Sequence, residues 1–274
     1  MDRRWIIALA ACLLAARGFA GYEARESWIV VVGHATGFGG RGFYTTVYLT
    51  NTSHAMNDVV LSFFASAQPN RAPRSISLQL GPNQSGAVDV GPPLVGEEGA
   101  IGALRIQSTR PLIAQARVYS RGANESPASE VGTVLNAIPS QFAIGTGEST
   151  FLHVPAGVRY KLYTVETHGF PLYFSVNTSP HERRLYLAPH EQRAWDLPDV
   201  QTASLRITGI NGSGKIVVVG TAIAGQSHDF SGYEMLLPIE PRHRLRWPEL
   251  LAYSAIALAL ALTALYKMKK PQTE

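Results

Sequence analysis

Arg74-Ser75-Ile76-Ser77-Leu78-Gln79-Leu80-Gly81-Pro82 alternates apolar and polar side chains and then reaches a turn. Ile76, Leu78 and Leu80 fall on one side of an extended chain and Ser75, Ser77 and Gln79 on the other, the two-residue period of a half-buried strand. About 107 residues further on, Leu185-Tyr186-Leu187-Ala188-Pro189 repeats the two leucines and the proline. The match continues in order. Ala103-Leu104-Arg105-Ile106 corresponds to Ser204-Leu205-Arg206-Ile207, Leu112–Tyr119 to Ile216–Ala222, and Asn136-Ala137-Ile138-Pro139 to Met235-Leu236-Leu237-Pro238. The offset drifts from about 107 to about 99, as changes in loop length produce.

Working outward, runs rich in Val, Ile, Tyr, Phe and Thr recur from Trp28 to Pro238, separated by Gly, Pro, Asn and Ser. They include Trp28–Val32, Tyr44–Thr50, Val59–Phe64, Gly102–Gln107 and Leu112–Tyr119. No long helical period interrupts them, and strands without interleaved helices argue for antiparallel sheets. The expected fold class is all-β: two tandem immunoglobulin-like antiparallel β-sandwiches, each with about eight strands in about 100 residues. Repeat one is placed at 21–145 and repeat two at 149–240, divided near Gly145-Thr146-Gly147-Glu148. Strand order pairs Asn51 with the stretch near Thr167, rather than with the similar-looking Asn177-Thr178-Ser179.

The two ends read differently. Arg3 and Arg4, the apolar run Trp5–Ala16 and Gly18-Phe19-Ala20 have the form of a signal peptide over 1–20. Leu9-Ala10-Ala11-Cys12 offers a lipidated cysteine as the alternative. Leu250 to Tyr266 is 17 residues without a charge, expected to be a single transmembrane helix between Trp247 and Tyr266. It follows a juxtamembrane linker at 241–249 that holds Arg242, Arg244 and Arg246. Lys267, Lys269 and Lys270 begin a short cytoplasmic tail at 267–274. Pro248-Glu249 leaves a second possibility open, a cleaved sorting signal.

These ends also explain the charge. Of 24 basic residues, Arg3, Arg4, Arg17, Lys267, Lys269 and Lys270 lie in the terminal segments, leaving 18. Of 20 acidic residues, Asp2, Glu249 and Glu274 lie outside 21–248, leaving 17. The middle is near neutral, so the pI of 9.2 is no argument for nucleic acid. Cys12 is the only cysteine, which leaves the middle without a disulfide or a thiolate metal site.

A wider pattern surrounds the repeat. An apolar strand leads into a loop with Gly37, Gly39 and Gly40; Thr45-x-x-x-Leu49-Thr50-Asn51 follows. Then come Leu80-x-Pro82, Gly102-Ala103-Leu104-Arg105-Ile106, Pro111 and Ala116-Arg117-Val118-Tyr119. This resembles a tandem β-sandwich repeat of uncharacterised secreted and surface proteins of bacteria, well in the first copy and loosely in the second. The resemblance implies a fold and an extracytoplasmic life. It carries over no catalytic residue.

The stretches that approach chemical motifs read as turns and strands. Gly37-Phe38-Gly39-Gly40-Arg41-Gly42 fits G-x-G-x-x-G, yet Phe43–Thr50 reads as strand where a dinucleotide site needs a helix. Gly209-Ile210-Asn211-Gly212-Ser213-Gly214-Lys215 approaches a P-loop, but Ile216 stands where Ser or Thr is needed. His153, His168, His181 and His190 flank strands without a tight metal spacing. Glu97-Glu98 are sequence neighbours and cannot face each other across a glycosidic bond. Asn51, Asn124, Asn177 and Asn211 precede x-Ser/Thr and read as turn residues.

The expectation is a non-catalytic, membrane-anchored structural or interaction protein of the bacterial cell envelope, adhesion-like, with its ectodomain outside the cytoplasm. It needs no cofactor and no metal. Its partners are the membrane and an envelope protein or a glycan, without nucleic acid or nucleotide. The alternative is a carbohydrate- or ligand-binding module using Phe43, Tyr44 and Tyr48 beside the Gly-rich loop. An envelope hydrolase stands third.

Overall fold

A computed structural model describes residues 22–36, 41–96, 99–122, 130–154, 159–178, 181–197, 200, 204–223 and 230–235. The signal, linker, transmembrane and tail readings lie outside these residues, as do Gly37 to Gly40, Glu97-Glu98 and Asn124. No helix among the described residues is long and apolar enough to cross a membrane. The described residues are all-β, 71% of them in strands and 4% in helix.

Eight strands belong to the first half: β1 (Glu23–Thr36), β2 (Arg41–Thr50), β3 (Asn57–Ala65), β4 (Arg74–Leu80), β5 (Ser85–Asp89), β6 (Ala100–Gly122), β7 (Val131–Asn136) and β8 (Ile138–Pro139). Eight more follow: β9 (Ser149–His153), β10 (Arg159–Glu166), β11 (Leu172–Asn177), β12 (Glu182–Leu187), β13 (Gln192–Leu197), β14 (Ser204–Gly212), β15 (Ile216–Ile223) and β16 (Phe230–Glu234). Every paired ladder is antiparallel.

The second half forms two four-stranded sheets, β12-β11-β14-β9 and β13-β10-β15-β16. The first half has the same neighbours in the same order. Residues 102–108 of β6 pair with β3 and β1, giving β4-β3-β6-β1, and residues 113–122 pair with β2 and β7, giving β5-β2-β6-β7. The difference is at one corner. The sequence suggests two strands, Gly102–Gln107 and Leu112–Tyr119, but β6 runs through both and joins the sheets. Asn57 holds the corner: its Oδ1 accepts from Arg110 N at 2.9 Å and from the Thr109 hydroxyl, while its Nδ2 donates to Arg110 O. In the second half, Ser213-Gly214-Lys215 interrupts the strand and separates β14 from β15.

The repeat holds at the level of single hydrogen bonds. In the first half Gly81 N donates to Gln84 Oε1, Gln84 N to Gly81 O, and Asn83 has φ +52°. In the second, Ala188 N donates to Glu191 Oε2, Glu191 N to Ala188 O, and His190 has φ +53°. Asn51 N donates to Gln84 O, as Glu166 N does to Glu191 O. Asn51 therefore corresponds to Glu166, next to the expected Thr167. Both residues are fully buried.

The two halves share one buried core, and the described residues fall in one compact unit. β1 shows why. Residues 27–33 are buried without alternation, the mark of a strand covered on both faces. Ile29 lies opposite Leu104 on the inner face, and Trp28 lies opposite Arg105 on the outer face.

Candidate functional site

The candidate aromatics Phe43, Tyr44 and Tyr48 all sit on β2, but the pleat separates them. Phe43 shares parity with the buried Thr45, Val47 and Leu49 and packs against the core. Tyr44 and Tyr48 point outward, and Tyr48 is 44% exposed. Tyr44 lies over Gly42, where a Cβ would collide with its ring; beside its cross-strand partner Tyr119, a Cβ on Gly132 would meet Val118 O and Tyr119 Cβ. The two rings stack, with centroids 5.6 Å apart and an interplanar angle of 28°.

Cations cover both rings. The Arg121 guanidinium lies 5.6 Å from the Tyr44 centroid and that of Arg117 lies 4.8 Å from Tyr119. Glu130 pairs with both arginines, at 2.8 Å to Arg117 and 3.2 Å to Arg121. Each cation–π contact is worth about 0.5–1 kcal/mol at an exposed position. The cluster thus occupies its own aromatic faces, and of the two outward tyrosines Tyr48 is the one most open to a ligand.

The P-loop-like segment has a different use. Lys215 N points at Glu166 Oε1 at 3.2 Å. Glu166 also accepts from His168 N, Gly169 N and His190 N, at 2.7, 2.7 and 2.9 Å. A ring of backbone amides that suits an anion is filled by this chain's own carboxylate. The four histidines have separate surroundings. His153 lies by Tyr233, His168 contacts the Thr167 hydroxyl, His181 is exposed, and His190 packs on Phe64 and Trp28. Among the described residues no group of three or more His, Cys, Asp or Glu is gathered to hold a metal ion.

His190 belongs to a joint that the sequence did not reveal. Its ring centroid lies 5.4 Å from Phe64 and 6.5 Å from Trp28. Gln192 bridges to Ser66: Ala67 N donates to Gln192 O at 2.8 Å, and Gln192 Nε2 donates to Val30 O. Asn70 Nδ2 donates to His190 O at 2.9 Å. Arg105 covers Phe64 and Trp28 at 5.3 and 5.9 Å. Trp28 Nε1 donates to Ser140 Oγ, which donates to Glu26 Oε1. β1 also contacts β10 and β15, and Val165, Val217 and Val219 on the outer face of that sheet are buried. At the far edge, Asn136 N and Nδ2 donate to the Glu234 carboxylate. Burial holds Glu234 above the ordinary carboxylate range, against the opposing pull of those two bonds.

The outer face of β12-β11-β14-β9 has no such cover among the described residues. Phe151 is 43% exposed, and Tyr173 and Tyr186 are 52% and 39% exposed, opposite each other with rings 4.8 Å apart. In the first half the positions of that tyrosine pair hold Asp58 and Gln79, joined by a hydrogen bond of 2.8 Å.

No protein-family model matches the chain. No curated protein matches it. The crystal structure of Thermotoga maritima 1070 is similar to 44% of this chain and 97% of that one, at 14% identity and a TM-score of 0.36. That likeness carries no argument about fold or function.

Proposed function

We propose that this chain is a structural and interaction module of the bacterial cell envelope, held outside the cytoplasm by its C-terminal apolar segment and acting through its surfaces rather than by catalysis. We read each half as an immunoglobulin-like β-sandwich. Supporting that reading, Phe174 and Trp195, on β11 and β13 of different sheets, pack edge-on at 6.3 Å. The observation that carries the function is the joint. A duplicated fold spends buried tryptophan, phenylalanine and backbone hydrogen bonds on fixing one half against the other, which makes a rigid spacer with a defined outer face. A spacer that projects from a membrane and presents surfaces is what adhesion-like partners use. The apolar run at 250–266 supports the anchor, and the basic n-region with the apolar run behind it supports export.

Protease added to intact spheroplasts is the test. Digestion of the middle of the chain, with a tag after Glu274 protected, supports the proposal. Resistance of the whole chain until lysis contradicts it.

A second reading, glycan binding, has its own support in the exposed Tyr173–Tyr186 pair and in Tyr48. Tyrosine supplies a broad apolar face with a polar tip at low entropy cost. Here Arg184 and Asn211 are its exposed polar neighbours across the strands. Binding of the full chain to glycan arrays, lost in Tyr173→Ala and Tyr186→Ala, would favour this reading over the first.

A further inference from the structure

The joint inside the molecule has a donor side and an acceptor side, and each half carries both. The acceptor is the outer face of β4-β3-β6-β1, where Trp28 lies opposite Arg105 and is fully buried. The donor is the end of the second half that presents the turn 188–192, with His190 against Trp28. The equivalent acceptor in the second half is the outer face of β12-β11-β14-β9. There Phe151 lies opposite Arg206, as Trp28 does to Arg105, and Phe151 is exposed.

The equivalent donor in the first half is the end that presents the turn 81–85. This turn has the same internal hydrogen bonds and the same left-handed third residue, yet Pro82, Asn83 and Gln84 are exposed. Tyr48, in the register position of the packed Tyr163, and Met56 are exposed at the same end. The intramolecular joint therefore leaves one unmatched donor and one unmatched acceptor per chain.

We propose that these two surfaces meet between copies, the end of the first half of one molecule seating on the Phe151 face of the next. The contact is heterologous, head to tail, so it extends into a row unless its rotation closes a ring. It deepens the interaction reading above by naming the partner as a second copy, and it rests on that reading. The seat differs from the internal one at the β11–β12 connection. The connection from β3 to β4 spans residues 66–73 and supplies Asn70, whereas β11 to β12 is joined by 178–181 alone. The contact between copies thus lacks the Asn70 bond and the covalent tether, and it depends on crowding in the membrane plane.

The test is site-specific photo-crosslinking of the full chain in cells, with benzoylphenylalanine replacing Phe151, an aromatic for an exposed aromatic. The expected result is an adduct of twice the chain's mass that maps to residues 48–56 or 81–85 of the second copy, and that falls about tenfold in Tyr48→Asp, a change of ~1.4 kcal/mol. An adduct joining position 151 to position 151 indicates a two-fold contact and overturns the proposal. So does an adduct to another protein or to lipid alone, and so does no adduct. Resistance to protease in the same spheroplasts separates loss of the envelope reading from loss of this one: a digestible ectodomain without the adduct sinks only the head-to-tail contact.

Discussion

Two buried polar side chains hold corresponding corners of the two halves by different chemistry. Asn51 donates to Ala55 O and Gly81 O at 2.8 and 2.7 Å, and accepts from Ser53 N and Oγ. Glu166 only accepts, from four backbone amides. Each donor left unsatisfied in a buried site costs about 1–3 kcal/mol. Glu166→Ala is expected to lower unfolding free energy by on the order of 4 kcal/mol, and Glu166→Gln by about half that, since its amide keeps one acceptor oxygen. Urea denaturation of both variants checks the order.

Glu234 adds a pH dependence. Its folded-state proton affinity is raised by burial, so the folded chain takes up a proton that the unfolded chain does not. The stability it contributes is full below the ordinary carboxylate value and is lost as pH rises through the raised one. As pH falls through the raised value toward the ordinary carboxylate value, this group alone makes the fold more stable, and Glu234→Gln removes that part of the slope. Denaturation midpoints of the two proteins across a pH series measure it. Neither role was legible in the sequence. Val165-Glu166-Thr167 looks like a strand running out to solvent, and its partners come from positions near 190 and 215.

Elements were far more legible. Alternation in Arg74–Leu80 and the turn after it are local, so side-chain period and turn chemistry suffice to place β4 and, through the repeat, β12. The run Trp28-Ile29-Val30-Val31-Val32 breaks the alternation, and its continuity is the one sequence signal that β1 is covered on both faces. What covers it is non-local and stayed hidden. The single β6 was missed for a similar reason, because Ser108-Thr109-Arg110-Pro111 looks like a loop until Asn57 holds it. The Tyr44–Tyr119 stack depends on Gly42 beneath one ring and on Gly132 beside the stem of the other. Gly132→Ala is expected to cost about 1–3 kcal/mol, as its methyl meets Val118 O and Tyr119 Cβ, and to disturb Arg117 and Glu130. Thermal unfolding together with near-ultraviolet circular dichroism reports both effects.

For the whole molecule, the repeat seen in sequence becomes a claim about assembly. One half sits on the other through Trp28, Phe64, His190 and Gln192, and the same kind of seat is left open at Phe151. Removing the indole tests how much the halves depend on the joint. Trp28→Ala is expected to cost about 3–5 kcal/mol and to lower the stability of both halves together in a denaturant titration. The proposed envelope role rests on this rigidity, since a hinged pair would present no fixed face.

The most direct measurement is native-state hydrogen exchange at the amide of Ala67, which donates across the joint to Gln192 O. If the halves are one body, this amide is protected nearly as strongly as those of the core strands and exchanges by the same cooperative opening. Exchange of Ala67 at the rate of an open loop, while the amides of β3 and β13 stay protected, would show two independent domains and contradict the account.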